Sequence, residues 1–183
     1  VVVTPVSTSS VTEAVVNEVG GKTVYTVVGS PAVARKMIET NAVFGGEGNG
    51  GLIFPEHQYC RDGGMAIAMM LEGIVKYGNL SQQIALLPQF TMVKRKFACP
   101  KQYAMPLEEH IRDKTPGARF DNSDGMKVIL NEGWVLGRPS GTEPIFRIYA
   151  ESKDPMMANA LADKYERLCL DFIEEMRLRE NGY

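Results

Sequence analysis

The chain has 183 residues, 44% of them hydrophobic and 23% charged, with a formal net charge of −2, which is room for one large or two small globular domains. So even a balance excludes a general attraction to nucleic acid or to anionic membranes, and any anion site must be local. No apolar run approaches the roughly 20 residues needed to cross a bilayer, and Val1-Val2-Val3-Thr4-Pro5 lacks signal-peptide shape.

In chain order, Val1 to Pro5 reads as a buried strand ended by proline. Because the chain opens without methionine inside this β-branched run, the expectation is a start partway through a domain, with that strand left as an exposed edge. Ser9 and Ser10 offer N-caps to a helix over residues 11–19, stopped by Gly20-Gly21. Lys22 to Val28 is a strand. Ser30 then caps a helix with Pro31 at its first position, running to about Glu39. Ala42-Val43-Phe44 is a short strand, so the alternation predicts an α/β unit with a largely parallel sheet.

Gly45-Gly46-Glu47-Gly48-Asn49-Gly50-Gly51 follows, with five glycines in seven residues. Such a loop brings backbone close to a ligand, at the C-terminal end of a strand where open α/β sheets bind. Glu47 accepts and Asn49 both donates and accepts, which suits vicinal sugar hydroxyls; the bland alternative is a flexible linker. After a brief strand at Leu52 to Pro55, residues 56–64 read as a polar loop. Asp62 caps a helix from Met65 to Tyr77, with Ile67, Met70, Leu71, Ile74 and Val75 expected on its inner face and its methionines as core filling. A short helix at residues 81–87 is stopped by Pro88, where we place a domain boundary.

Beyond it, Met92 to Cys99 alternates as a strand, with Lys94 and Lys96 on one side and Val93, Arg95 and Phe97 on the other. A helix over residues 105–114 carries Glu108 and Glu109 in its first turn. Strands follow at Arg119 to Asp121, Met126 to Leu130, Trp134 to Leu136 and Ile145 to Glu151. Asp154 and Pro155 open a long helix to about Arg179. The second half is therefore an α+β domain, an antiparallel sheet with helices on one face.

Between the last two strands lies Arg138-Pro139-Ser140-Gly141-Thr142-Glu143-Pro144. A guanidinium fork, two hydroxyls and the unobstructed amide of Gly141 suit a phosphate, with Arg147 able to assist. The bland alternative is a tight turn whose arginines pair with Glu143 or Glu151. Cys60, Cys99 and Cys169 are far apart and odd in number, so free buried thiols are expected rather than a disulfide or metal site. His57 and His110 have no metal-ligand or triad spacing and read as surface or loop residues.

Taken together, Gly46-Glu47-Gly48-Asn49-Gly50, Arg61-Asp62-Gly63, Asp124-Gly125-Met126-Lys127 and Arg138 to Pro144 resemble the C-terminal half of the α-D-phosphohexomutase superfamily, along essentially the whole chain. These are the phosphoglucomutases, phosphomannomutases and phosphoglucosamine mutases; the Glu-Gly-Asn-Gly form is most similar to the archaeal phosphomannomutase/phosphoglucomutase type. The resemblance implies that residues 1–88 are the third domain, truncated at its start, and 89–183 the fourth. It implies a sugar-binding loop at Glu47, Gly48 and Asn49 and a phosphate-binding loop at Arg138, Ser140, Gly141 and Thr142, with Arg147 beside it. A histidine common in the family after the glycine matching Gly29 is here Ser30, so no histidine role carries over.

The family's phosphorylated serine, in a Thr/Ser-Ala-Ser-His-Asn-Pro type motif, and its Asp-Gly-Asp-x-Asp-Arg magnesium loop lie in earlier domains; neither is in this sequence. The implied whole is a cytoplasmic, magnesium-dependent phosphoprotein interconverting hexose 1- and 6-phosphates of the mannose or glucose type. This chain would then hold no catalytic and no metal-binding residue, and would be inactive alone. Its partners would be the hexose phosphate and the missing N-terminal domains, with no nucleic acid and no membrane. The alternative is a non-catalytic phosphosugar-binding module.

Overall fold

A computed structural model describes residues 1–180, in two compact units, the first Val1–Gln89 and the second beginning at Phe90. The first unit runs β1 (Val2–Pro5), α1 (Ser10–Glu18), β2 (Thr23–Thr26), α2 (Ser30–Thr40), β3 (Phe44–Gly46), β4 (Leu52–Phe54), β5 (Gln58–Arg61), α3 (Gly63–Tyr77) and α4 (Leu80–Ala85). Its sheet has the order β2-β1-β3-β4-β5. β1 pairs in parallel with β2 and β3, while β3, β4 and β5 meander antiparallel. Val3, Val33, Met37, Ala42 and Ile53 form the buried cluster under it.

Four expectations are corrected here. β1 is no edge: it lies between β2 and β3, and the edges are β2 and β5. The polar stretch before α3 contains a strand, β5, whose four residues are all exposed; an edge strand with neither face in a core carries no alternation for a pattern to reveal. Ser30 is the first residue of α2, and Gly29, at φ 128°, takes the N-cap position without a side-chain bond.

The fourth concerns α3. Asp62 caps it as expected, its Oδ1 accepting from the Met65 amide at 2.8 Å. Yet no residue of α3 is buried. Ile67 is 64% and Val75 86% exposed, and Met69 and Met70 are exposed too, so they fill no core. Periodicity reports that a helix has an apolar face; it does not say what covers it.

The second unit runs β6 (Thr91–Ala98), a 3-10 turn at Lys101–Tyr103, α5 (Ala104–Asp113), β7 (Arg119–Asp121), β8 (Met126–Ile129), β9 (Gly133–Pro139), β10 (Ile145–Ser152) and α6 (Pro155–Glu180). The sheet is antiparallel in the order β6-β10-β9-β8-β7. Because α5 starts at Ala104, Glu108 and Glu109 fall past its first turn, not within it. Val128, Val135, Phe146, Ile148 and Ala150 point to one face and pack with Leu107 and Ile111 of α5 and Leu161, Tyr165, Cys169 and Ile173 of α6. Arg95 also faces the helices, reaching Asp163 at 3.1 Å and Glu166 at 3.5 Å. The period of two then sends Lys94, Lys96, Arg147, Tyr149 and Arg138 to the opposite face.

The three cysteines are free, with Cys99 and Cys169 buried and Cys60 exposed on β5 rather than buried. Burial pushes the Cys169 thiol up to about 12. His57 lies in a surface loop, its Nε2 3.1 Å from Asp62, whereas His110 sits on α5 with its ring against Phe172.

The cap of α3 carries a pH signature. The Met65 amide, with Gln58 and His57 adding to it, holds the Asp62 carboxyl below its ordinary value of 3.8. A group with a depressed folded-state pKa stabilises above its unfolded value and loses that contribution as pH falls through the folded one. Asp62→Ala should therefore lower the melting temperature at pH 7, and the gap from wild type should close in titrations carried below pH 3.8.

Candidate functional site

In the first unit, the glycine-rich stretch is the turn of the β3–β4 hairpin. Three bonds shape it: Glu47 N–H to Gly51 O and Gly50 N–H to Glu47 O, both 3.0 Å, and Gly51 N–H to Asn49 Oδ1, also 3.0 Å. Gly50 sits at φ 91°, where a side chain would be strained. Gly45 answers a different need: a Cβ there would lie 2.3 Å from Met37 Sδ, so only glycine lets β3 settle on α2.

The turn leaves Gly48 in open space and Glu47 half-buried beside it. Glu47 and Gly48 line a pocket of about 120 Å³ with Thr4, Thr8 and Thr12. Thr4 donates to the Gly46 carbonyl at 2.9 Å and bonds the Thr8 hydroxyl at 2.6 Å, tying the ends of β1 and β3 together. These threonines were not singled out from sequence; β1 and β3 meet only through their parallel pairing. Asn49 has its carbonyl oxygen engaged by the turn, so its amide NH2 is the part left to offer a ligand.

In the second unit, Arg138 and Pro139 belong to β9, and the turn proper is Ser140 to Pro144. Ser140 N–H donates to Ile145 O at 2.9 Å. The Ser140 hydroxyl accepts from the amides of Thr142 at 3.5 Å and Glu143 at 3.3 Å. Those amides converge on one oxygen, and a phosphate oxygen could take its place by rotation of the serine. Gly141 is unobstructed, with nothing within 4 Å of where a Cβ would stand. The Pro144 carbonyl accepts from Cys99 N–H at 2.9 Å, pinning the turn to the end of β6.

Arg138 does not pair with Glu143. Its guanidinium lies 3.2 Å from Asp124, and the two side chains are only 18% and 17% exposed. The Arg138 Nε is buried and has no hydrogen-bond partner among the described residues. Arg147, directly opposite Arg138 in the β9–β10 ladder, makes the pair with Glu143 at 3.3 Å. Glu143 is 60% exposed, so that pair is weak and screened.

Asp124 is the partner that sequence spacing did not reveal. Gly125 brings it there: at φ 72°, with a would-be Cβ 2.5 Å from both the Gly137 carbonyl and Arg138 Cβ, Gly125 allows the approach to β8 to press against β9. Further along the same face, Trp134 donates its Nε1–H to Glu151 at 2.8 Å, and the Lys127 ammonium lies 3.9 Å over the Trp134 ring. Among the described residues no group of three or more His, Cys, Asp or Glu side chains could hold a metal ion. Among the described residues no helix is long and apolar enough to cross a membrane.

Two family models match this chain. Residues 1–90 match "Phosphoglucomutase/phosphomannomutase, alpha/beta/alpha domain III" and residues 92–168 match "Phosphoglucomutase/phosphomannomutase, C-terminal domain". Among similar proteins, a probable phosphoglucosamine mutase of Methanopyrus kandleri is 36% identical over 94% of this chain and 39% of its own length. A phosphoglucomutase/phosphomannomutase of Thermococcus kodakarensis is 36% identical over 94% of this chain and 38% of its own. A crystal structure of a phosphoglucomutase/phosphomannomutase family protein from Burkholderia thailandensis superposes with a TM-score of 0.77 at 24% identity, covering 91% of this chain and 36% of that one. The chain thus spans about two fifths of the length of the curated relatives it matches.

The close approach at Gly125 can be tested directly. Gly125→Ala should destabilise the second unit by roughly 1–3 kcal/mol in urea unfolding, the usual cost of a strained backbone residue. It should also move Asp124 off Arg138, visible as a changed Arg138 Nε–H resonance.

Proposed function

The chain belongs to the phosphoglucomutase/phosphomannomutase family, and from that premise we propose that it is the substrate-recognition part of a phosphohexomutase, an isomerase moving a phosphoryl group between C1 and C6 of a hexose. The first unit is read as the family's third domain and the second as its C-terminal domain. The Ser140–Pro144 turn with Arg138 and Arg147 grips the phosphate that is not reacting; Glu47, Gly48 and Asn49 hold the sugar hydroxyls. The observation that carries this reading is Arg138, a largely buried guanidinium oriented by Asp124, with a buried Nε–H that nothing in the described protein satisfies.

The chemistry asks for such parts. If one enzyme accepts both 1- and 6-phosphates, the idle phosphate must be held alike on either carbon. A cradle of guanidinium, hydroxyl and amide groups contacts only phosphate oxygens and is blind to what bears them. Glu47 would accept from the O3 and O4 hydroxyls, which roughly exchange places when the ring turns over. Neither loop is assigned a contact at C2, where glucose, mannose and glucosamine differ. The reading therefore accommodates relatives named for glucosamine as well as for glucose and mannose, and leaves the preferred sugar to residues beyond these loops. All of this is positioning, worth several orders of magnitude in rate when geometry is right. Magnesium and the phosphoserine would be supplied by the remainder of the enzyme, and three free cysteines accord with a reducing cytoplasm. No observation favours the stand-alone binding module.

The same premise gives the bare face of α3 an occupant. Relatives are about two and a half times as long as this chain, and their matched parts are the third and last domains. We take Ile67, Leu71 and Val75 to pack against the domains that precede.

Two measurements check these readings. In the full-length protein, Arg138→Ala should weaken binding of glucose, mannose and glucosamine 6-phosphates alike, by roughly 2–4 kcal/mol for a truncated charge-assisted contact; unchanged affinity in titration calorimetry would remove the phosphate assignment. Ile67→Glu with Val75→Glu should lower the melting temperature of the full-length protein but leave that of the 183-residue chain in place. A loss in both would mean that something within these 183 residues covers the face.

A further inference from the structure

We propose that Lys96 is a third cation of the phosphate site, so that the anion is read by a row of basic side chains across three neighbouring strands and not by the hairpin alone. The inference rests on the reading of the Arg138 hairpin as a phosphate site, and it extends that site onto β6.

Register places the row. β10 lies between β6 and β9, and Arg147 is directly opposite Lys96 on one side and Arg138 on the other. Directly opposed residues stand with Cβ atoms about 4.5–5.5 Å apart on the same face. That face is the one turned from α5 and α6, because Phe146 and Ile148, on either side of Arg147 in sequence, are fully buried against the helices. The order Lys96, Arg147, Arg138 is therefore fixed by backbone pairing and does not depend on how any one side chain lies.

Such a row is costly by itself. Like charges directly opposite one another destabilise a sheet, and here one cation has a like neighbour on both sides. Two carboxylates relieve part of the repulsion: Asp124 at Arg138 and Glu143 at Arg147. Lys96 is exposed and has no ion pair among the described residues. Lys94, two residues earlier on the same face, is instead opposite Tyr149, with its ammonium 5.4 Å from the ring centroid. The arrangement is one charge short of neutrality at the strand end tied to the hairpin, where Ala98 pairs with Ile145 and Cys99 donates to Pro144.

A phosphate monoester carries about 1.5–2 negative charges at neutral pH. Bound at the turn, it supplies the missing counter-charge. The two arginines present planar forks to it, while the lysine adds a mobile point charge on a flexible stem.

The test is glucose 6-phosphate binding to the full-length protein by titration calorimetry, with Lys96→Gln, Lys96→Arg, Lys94→Gln and Arg138→Ala side by side. Lys96→Gln should weaken binding about tenfold, the order of one charge-assisted contact to an anion. It should also flatten the salt dependence and raise the melting temperature of the ligand-free protein, because it relieves repulsion. Lys96→Arg should restore affinity, and Lys94→Gln should bind as wild type. If Lys96→Gln binds as wild type while Arg138→Ala does not, Lys96 is no part of the site and the hairpin reading survives. If neither variant loses affinity, the hairpin reading falls and this inference falls with it.

Discussion

A guanidinium that is 18% exposed has lost most of its hydration, and the loss is offset only where fixed acceptors replace the water. At Arg138 the fixed acceptor is Asp124, and much of the second unit serves to keep the two together. Gly125 bends the chain so that Asp124 can reach β9. The β8–β9 ladder, pairing Met126 with Gly137, holds that bend in register. Gly137 in turn has no room for a side chain, since a Cβ would stand 2.9 Å from the Phe146 ring in the core. A chain of close approaches therefore runs from the helix-packed core to the guanidinium, and its tolerance is a few tenths of an ångström.

The first unit solves a similar problem without charge. Its loop is shaped by backbone bonds and by glycines placed for contact. Gly45 yields to Met37, Gly46 to Leu52, and Gly51 to Arg61, whose Cδ would be 2.4 Å from an added Cβ. Glycine is often read as flexibility, but Gly45 and Gly46 are positions where packed neighbours leave no volume, and at Gly51 the Arg61 side chain would have to move. The freedom is confined to Gly48 and Gly50, at the tip, where nothing lies within 4 Å. A rigid base with an open tip lets backbone approach a ligand without giving up the register of Glu47.

How much of this was legible in sequence follows from where each signal lives. Three helices could be read because each carries its own period and its own cap: Ser9 at α1, Asp62 at α3, Asp154 at α6. The two stretches could be placed as turns because glycine, serine and proline in short runs between apolar strands punctuate the chain. What stayed hidden was pairwise. Asp124 and Arg138 are fourteen residues apart, and only the β8–β9 register brings them together. Lys96 and Arg147 are separated by half a domain and meet through β6 and β10. β5 was missed because both its faces are wet. The burial of α3 was not legible because a sequence cannot distinguish an apolar face that meets its own core from one that stands bare of it.

The way burial acts on the titratable groups argues for the same division of labour. It pushes the Cys99 thiol up, as it does Cys169 and the Tyr165 phenol, while the Tyr103 phenol rises chiefly through its bond with Glu180. For these thiols and phenols the shift keeps the neutral, less nucleophilic form, the reverse of what an activated thiol requires. Glu108 is raised too, by burial against the opposing pull of Arg112, which favours its neutral acid form. The buried thiols and phenols are thus spent on packing, and the polar groups left facing outward at the two turns are donors and acceptors held in place. On the proposed reading, a domain pair built this way would contribute to phosphoryl transfer through where it holds the substrate. Its free energy would then enter the reaction as restricted motion of a bound phosphate and sugar, a contribution that exists only while the register beneath those turns is kept.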